Sequence, residues 1–303
     1  TRSYQQIAQR YNDRIARLPQ LSAQGVIELK WSDKHGSHSD QGDLQLYFQR
    51  PSSTAIRVSA VGEVLMWVGS DNSAYWVFDL HSKPKTLTLG SFTNLSDNPD
   101  LAIHPAAFLD LMGWSPLPLP PQSSAAPSPT DNSQETAPAS SIADNSHEPS
   151  STAPDFSTSN SSEASSQSQS FPDPVIDPQT HRIIITTQGA GGPMRLFLDP
   201  DSLLPLRIES LAPSTRALIA YSELSRYQSV ITQGVSVLEY PRIAQLVDIH
   251  QADDAGYVKI ALGSQTDGRT PDGSLDPVFS RIFDLDRLRK AMPVDEVIDQ
   301  SSK

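Results

Sequence analysis

The stretch that decides the fold runs from residue 25 to residue 90. It opens on QGVIELKW (24–31), where Val26, Glu28 and Lys30 alternate with Ile27, Leu29 and Trp31. GDLQLYFQ (42–49) repeats the pattern, with Leu44, Leu46 and Phe48 opposite Asp43, Gln45 and Tyr47. TAIRVSA (54–60) sets Ile56 and Val58 against Arg57, and EVLMWV (63–68), AYWVFD (74–79) and TLTL (86–89) follow. Alternation with a period of two marks a half-buried strand, because successive side chains leave an extended backbone on opposite faces. The intervening segments are rich in Gly, Asp, Asn, Ser and Pro, which supply tight-turn conformations. Parallel strands need a crossover longer than these connections, so the expectation is an antiparallel meander.

Working outward, Tyr4, Ile7, Ala8, Tyr11, Ile15 and Leu18 recur at spacings of three and four, the apolar stripe of a helix that Pro19 ends. Beyond the meander, Pro105 suits a first helical position and Gly113 a stop, with Phe108, Leu111 and Met112 on the apolar side. A helix of about two turns is marginal alone, so it must dock on an apolar surface. The expected surface is the meander's concave face. From residue 175 onward strand patterns resume, at 181–187, 194–199, 204–211, 216–227, 235–238, 243–251, 257–262 and 278–283. A brief helical end at 285–292 precedes Pro293 and an extended piece at 294–298.

Between the two β-rich parts, residues 115–174 are a different kind of chain. Ser and Pro make up 29 of these 60 residues, Lys and Arg are absent, and seven are acidic. Such a segment cannot bury enough apolar surface to offset its chain entropy, so it is read as a disordered insertion. The expected organisation is residues 1–114 as helix, meander and lid helix, 115–174 as insertion, and 175–303 as a second β half of the same half-barrel. The 303-residue chain carries a formal charge of −12, and the insertion supplies seven of those negative charges. The remainder is an ordinary soluble surface with no basic face for nucleic acid.

Several function classes find no support in the sequence. No run reaches the roughly 18 apolar residues of a membrane-spanning helix. Without a cysteine there are no thiolate metal sites, cysteine nucleophiles or disulfides. His35 and His38 share one turn but lack a further ligand at matching spacing. Asp267, Asp272 and the glycines beside them lack the order of a calcium loop. No serine elbow, phosphate loop or dinucleotide fingerprint occurs. The expectation is therefore a non-enzyme with no cofactor and no metal.

The order of elements, together with Gly42-Asp43-Leu44 running to Arg50-Pro51 and Ser70-Asp71 followed by Tyr75-Trp76-Val77-Phe78, resembles the Lol family of bacterial lipoprotein carriers (the LolA/LolB fold). The segment 104–112 stands where that family has its lid helix, and the ending from Phe283 through Pro293-Val294 to Asp299 resembles the family's closing strand and tail. Two extra residues before Arg50-Pro51, Asn72 in place of a glycine, and the long insertion depart from the pattern. The resemblance implies a mainly β (α+β) fold, an unclosed antiparallel half-barrel with short lid helices over an apolar concave face. It implies a lining of Trp31, Leu46, Phe48, Ile56, Val58, Trp67, Trp76 and Phe78, with Phe108 and Met112 from the lid and Arg50 as a gate bonding lid backbone. The implied partners are acyl chains or lipoproteins, with envelope membrane proteins a further class, and the implied chain is a periplasmic monomer. A lipidated residue ahead of Thr1 would anchor it to the outer membrane. The alternative is an envelope scaffold that reuses the fold with its cavity filled by side chains.

Overall fold

The computed structural model describes residues 2–33, 36–51, 53–71, 73–91, 105–120, 172–189, 191–212, 214–252, 256–270 and 272–300. The chain divides into a compact unit of residues 1–119 and 171–303 and a second unit, 120–170. The disorder expected of the insertion falls almost wholly outside the described residues. Its first residues are an exception: Ser115 and Leu117 are buried in the first unit. Trp114 and Leu117 give this segment apolar anchors, and Asn12 pairs with Leu117 through both its amide nitrogen (2.8 Å) and its amide oxygen (2.7 Å).

Helix α1 (Tyr4–Ala16) starts on a reciprocal cap, in which Ser3 Oγ accepts from the Gln6 amide and Gln6 Oε1 from the Ser3 amide. Tyr4, Ile7, Ala8, Tyr11 and Ile15 are buried, the stripe read from their spacing. The meander follows as β1 (Gln20–Asp33), β2 (Gly36–Gln49), β3 (Ser53–Ala60), β4 (Glu63–Ser70), β5 (Ala74–Asp79) and β6 (Thr86–Ser91), each pairing antiparallel with the next. Helix α2 (Pro105–Leu111) comes next, and Gly113 takes a φ of 71°, the left-handed conformation that terminates a helix.

The second β region comprises β7 (Val175–Ile176), β8 (Ile183–Gly189), β9 (Gly192–Leu198), β10 (Pro205–Leu211), β11 (Leu218–Ser229), β12 (Arg242–Gln251) and β13 (Gly256–Thr266). Helices α3 (Phe279–Ile282) and α4 (Leu285–Ala291) and strand β14 (Glu296–Asp299) close the chain. All fourteen strands belong to one sheet, in the order β14-β6-β5-β4-β3-β2-β1-β13-β12-β11-β10-β9-β8-β7. The β1–β13 ladder joins its two parts. β14 and β7 stand at opposite ends, so the sheet is unclosed, and only β14 on β6 is parallel among the named pairs. Gly25 makes the β1–β13 junction possible, because a Cβ there would lie 2.0 Å from the Ala261 carbonyl oxygen.

One face of the sheet gathers the main core. Leu44, Leu46 and Phe48 from β2, Ile56 and Val58 from β3, and Leu196, Val247 and Ile260 from the second part pack with α1 and α2 in one cluster. Strands as far apart in the sheet as β3 and β8 reach the same cluster only because the sheet curls around these helices, giving it an inner and an outer face. The outer face carries two smaller clusters. Trp76, Phe78 and Leu87 are covered there by Leu288 of α4, and Ala55 by Phe279 and Ile282 of α3.

Two expectations from the sequence are corrected in this region. Residues 278–283, read as a strand, contain helix α3; four apolar residues in six fit either period. Residues 235–238 form no strand either: a short 3-10 turn spans Val237–Glu239, with Val237 and Leu238 exposed.

Candidate ligand-binding site

The inner face is not filled to its edge. A recess of about 130 Å³ lies between α2 and the sheet, lined by Ile27, Leu29, Thr54, Ile56, Met66, Val68, Gly69, Ser70, Phe108, Ile249 and Val258. The register explains the alignment. Thr54 faces Ser70, Ile56 faces Val68 and Val58 faces Met66 across β3 and β4. Ile27 and Leu29 continue the same face across β1, next to Ile260 and Val258 of β13. Leu29, Met66, Val68 and Val258 are only partly buried, so an apolar wall stays open beside the covering helix. Polar atoms sit at one end, where Thr54 and Ser70 are paired, and the buried Thr54 hydroxyl has no partner among the described residues. An apolar slot with a few convergent polar groups is the ordinary construction of a small-ligand site.

Phe108 is the helix's contribution to the recess, and the helix is held mainly from its C-terminal side. The Ser222 hydroxyl donates to the Leu111 carbonyl at 2.6 Å. Tyr11 Oη and Arg14 Nη2 both donate to the Gly113 carbonyl at 2.9 Å. Burial pushes the Tyr11 hydroxyl up to about 12, so it remains a donor across the physiological range. The buried Asp110 carboxylate accepts from the Gly191 amide at 2.7 Å and ties α2 to the β8–β9 turn. Replacing Asp110 with Ala should lower the unfolding free energy by about 1–3 kcal/mol, the cost of stranding a buried partner. Asp110→Asn should recover part of it through the amide oxygen. Denaturant titration checks this, and an Ala variant as stable as the parent would remove Asp110 as an anchor.

The residues singled out in the sequence divide into three groups. Leu46, Phe48, Ile56, Val58, Phe108 and Met112 do meet on the inner face. Of these, Ile56 and Phe108 line the recess, while the others are packed core, Phe48 lying 5.7 Å from the Trp114 ring. Trp31 has inner-face parity but sits outside that core, 39% exposed and stacked on His38 at 5.2 Å. Trp67, Trp76 and Phe78 point to the outer face and pack under α3 and α4, which corrects their expected place in the concave lining. The physical reason is that β4 carries large apolar side chains on both faces. EVLMWV therefore has no polar phase to reveal which parity faces inward.

Arg50 is corrected as well. Its Nε donates to the Leu18 carbonyl at 3.2 Å, and its backbone amide to the Pro19 carbonyl at 2.9 Å. It therefore bonds the junction of α1 and β1, not α2. Burial lowers its pKa. The sequence reading missed Ile27, Leu29, Met66, Val68, Ile249 and Val258. For Ile27 and Leu29 the signal existed, since they alternate in phase with Trp31. Ile249 and Val258 needed the β12–β13–β1 pairing, which sequence alone does not supply. Among the described residues no group of three or more His, Asp or Glu is placed to hold a metal. Among them, too, no helix is long and apolar enough to cross a membrane.

No family model matches the chain, and no curated protein does. Solved structures are similar in chain path. A LolA superfamily protein from Nitrosomonas europaea shares 10% identity at a TM-score of 0.46, covering 90% of this chain and 96% of that one. A domain from Vibrio parahaemolyticus named for outer membrane lipoprotein sorting gives 8% and 0.43, covering 85% and 90%. A DUF1329 family protein from Desulfovibrio piger gives 9% and 0.45, covering 86% and 92%.

Proposed function

We propose that this chain is a non-enzymatic binder of acyl chains, which it takes between α2 and the inner face of the sheet. The observation that carries the reading is the apolar recess walled by Phe108, Met66 and Val68, with the Thr54 hydroxyl unpartnered at its end. In this arrangement the hydrocarbon lies along β3 and β4, and the carbonyl group of an ester, amide or acid accepts a hydrogen bond from Thr54. The path from Thr54 to Val58 is on the order of 14 Å of extended strand.

The recess as it stands is close in size to a cavity of about 150 Å³ that holds one benzene ring. A longer chain enters by displacing α2. At about 0.8 kcal/mol per buried CH₂, a 16-carbon chain offers on the order of 12 kcal/mol. Exposing Phe108 and Met112 costs about 1.5–3 kcal/mol each, so the exchange remains favourable before ordering costs. Release then requires only that the helix return, a shift between two packed states. The setting that goes with this function is the cell envelope, as the sequence resemblance implies, with a monomeric chain.

A second reading is favoured by the modest volume: a scaffold whose inner face is closed by its own side chains. Titration with a fluorescent fatty acid separates the two. The acyl-binding reading expects saturable binding at one site, competed by unlabelled fatty acid. Absence of binding up to the solubility limit of the probe would leave the scaffold.

A further inference from the structure

Along the flank of its buried stripe, α1 meets the β11–β12 connection. That connection runs from Val230, whose amide donates to the Pro241 carbonyl at 2.8 Å, and its middle stands free of the core. Leu238 is 98% exposed and Val237 72%. Two adjacent large aliphatic side chains thus stand bare at a loop tip.

The same loop borders a groove of about 270 Å³ with four arginines in its lining. Arg10, Arg14 and Arg17 come from α1, at three- and four-residue spacing that puts them on one side of the helix, and Arg242 comes from the start of β12. Asp13 and Glu239 are the acidic residues of the lining, so the groove is net positive on a chain whose formal charge is −12. Arg10 and Arg17 are not consumed by the fold. Arg10 has no ion-pair or hydrogen-bond partner among the described residues. Arg17 meets exposed Glu239 at 3.4 Å, and such a surface pair is weak. Arg14 and Arg242 do serve the fold: Arg14 braces the Gly113 and Arg242 carbonyls, and Arg242 Nη2 donates to the Tyr227 carbonyl at 3.5 Å.

Apolar side chains projecting beside clustered arginines form the pattern of an interfacial surface: aliphatic groups enter the headgroup region while guanidinium groups hold phosphates. We infer that the groove of α1 and the 230–241 loop is a docking surface for an anionic phospholipid membrane, with Leu238 and Val237 inserting and Arg10 and Arg17 binding lipid phosphate. This surface is distinct from the recess under α2, whose lining residues all differ from those of the groove.

The test is co-sedimentation of the full chain with phosphatidylcholine vesicles, with and without phosphatidylglycerol. The expected result is binding to the anionic vesicles only, released by high salt. Leu238→Asp should weaken it about tenfold or more, as should the double variant Arg10→Gln, Arg17→Gln, with thermal melting unchanged because these side chains lie outside the core. Wild-type failure to bind, or variants that bind like wild type, would overturn the inference.

Discussion

Trp76→Ala lowers the unfolding free energy by about 3–5 kcal/mol and leaves the affinity for an acyl chain unchanged. Trp76 is among the largest fully buried side chains, and it packs on the outer face with Phe78, Leu87 and Leu288. Its partner on β4 is Gly69, where a Cβ would come within 2.3 Å of the indole nitrogen, so the ring lies in space that Gly69 leaves open. Truncation opens a cavity beneath α4, and two short helices have little else to collapse onto. The sheet separates this cluster from the recess, and a change on one face reaches the other only through the backbone. Chemical denaturation and fatty-acid titration of the same variant are the measurements. Lost binding without lost stability would place Trp76 in the site and reverse the assignment of faces.

The second large effect is at the covering helix. Phe108→Asp should reduce acyl-chain affinity at least thirtyfold, because a carboxylate in the recess wall must either be desolvated against the hydrocarbon or hold α2 away from it. Phe108 is 8% exposed, so the variant also loses stability, and circular dichroism must accompany the titration. Met66→Asp supplies the independent test. Met66 lines the recess from β4 but is only partly buried, so a carboxylate there can stay hydrated in the free protein and still oppose an entering chain. A folded Met66→Asp protein with undiminished affinity would contradict the site.

Much of the architecture is legible in the residues because it is written in local periodicity. The stripe from Tyr4 to Leu18 requires a helix with one buried side. The alternation through Leu44, Leu46 and Phe48 requires a sheet with one apolar face, and both belong to the main core. Parity is lost where a strand is apolar on both faces. Met66 and Trp67 are neighbours on opposite faces, and nothing local says that the larger aromatic faces outward under α3 while the methionine faces the recess. The Phe279–Ile282 helix fails for a related reason, since one turn is too short to establish a period. Arg50 shows the limit of carrying a role across a resemblance. The residue type matched, but the carbonyl within its reach is Leu18, at the end of α1.

The most direct measurement is native mass spectrometry of the full chain purified from cells without detergent, followed by organic extraction of whatever is bound. The acyl-binding account predicts a stoichiometric adduct carrying a fatty-acyl chain, absent from the Phe108→Asp protein and retained by Trp76→Ala. Protein of bare polypeptide mass that takes up no fatty acid when one is supplied would contradict it.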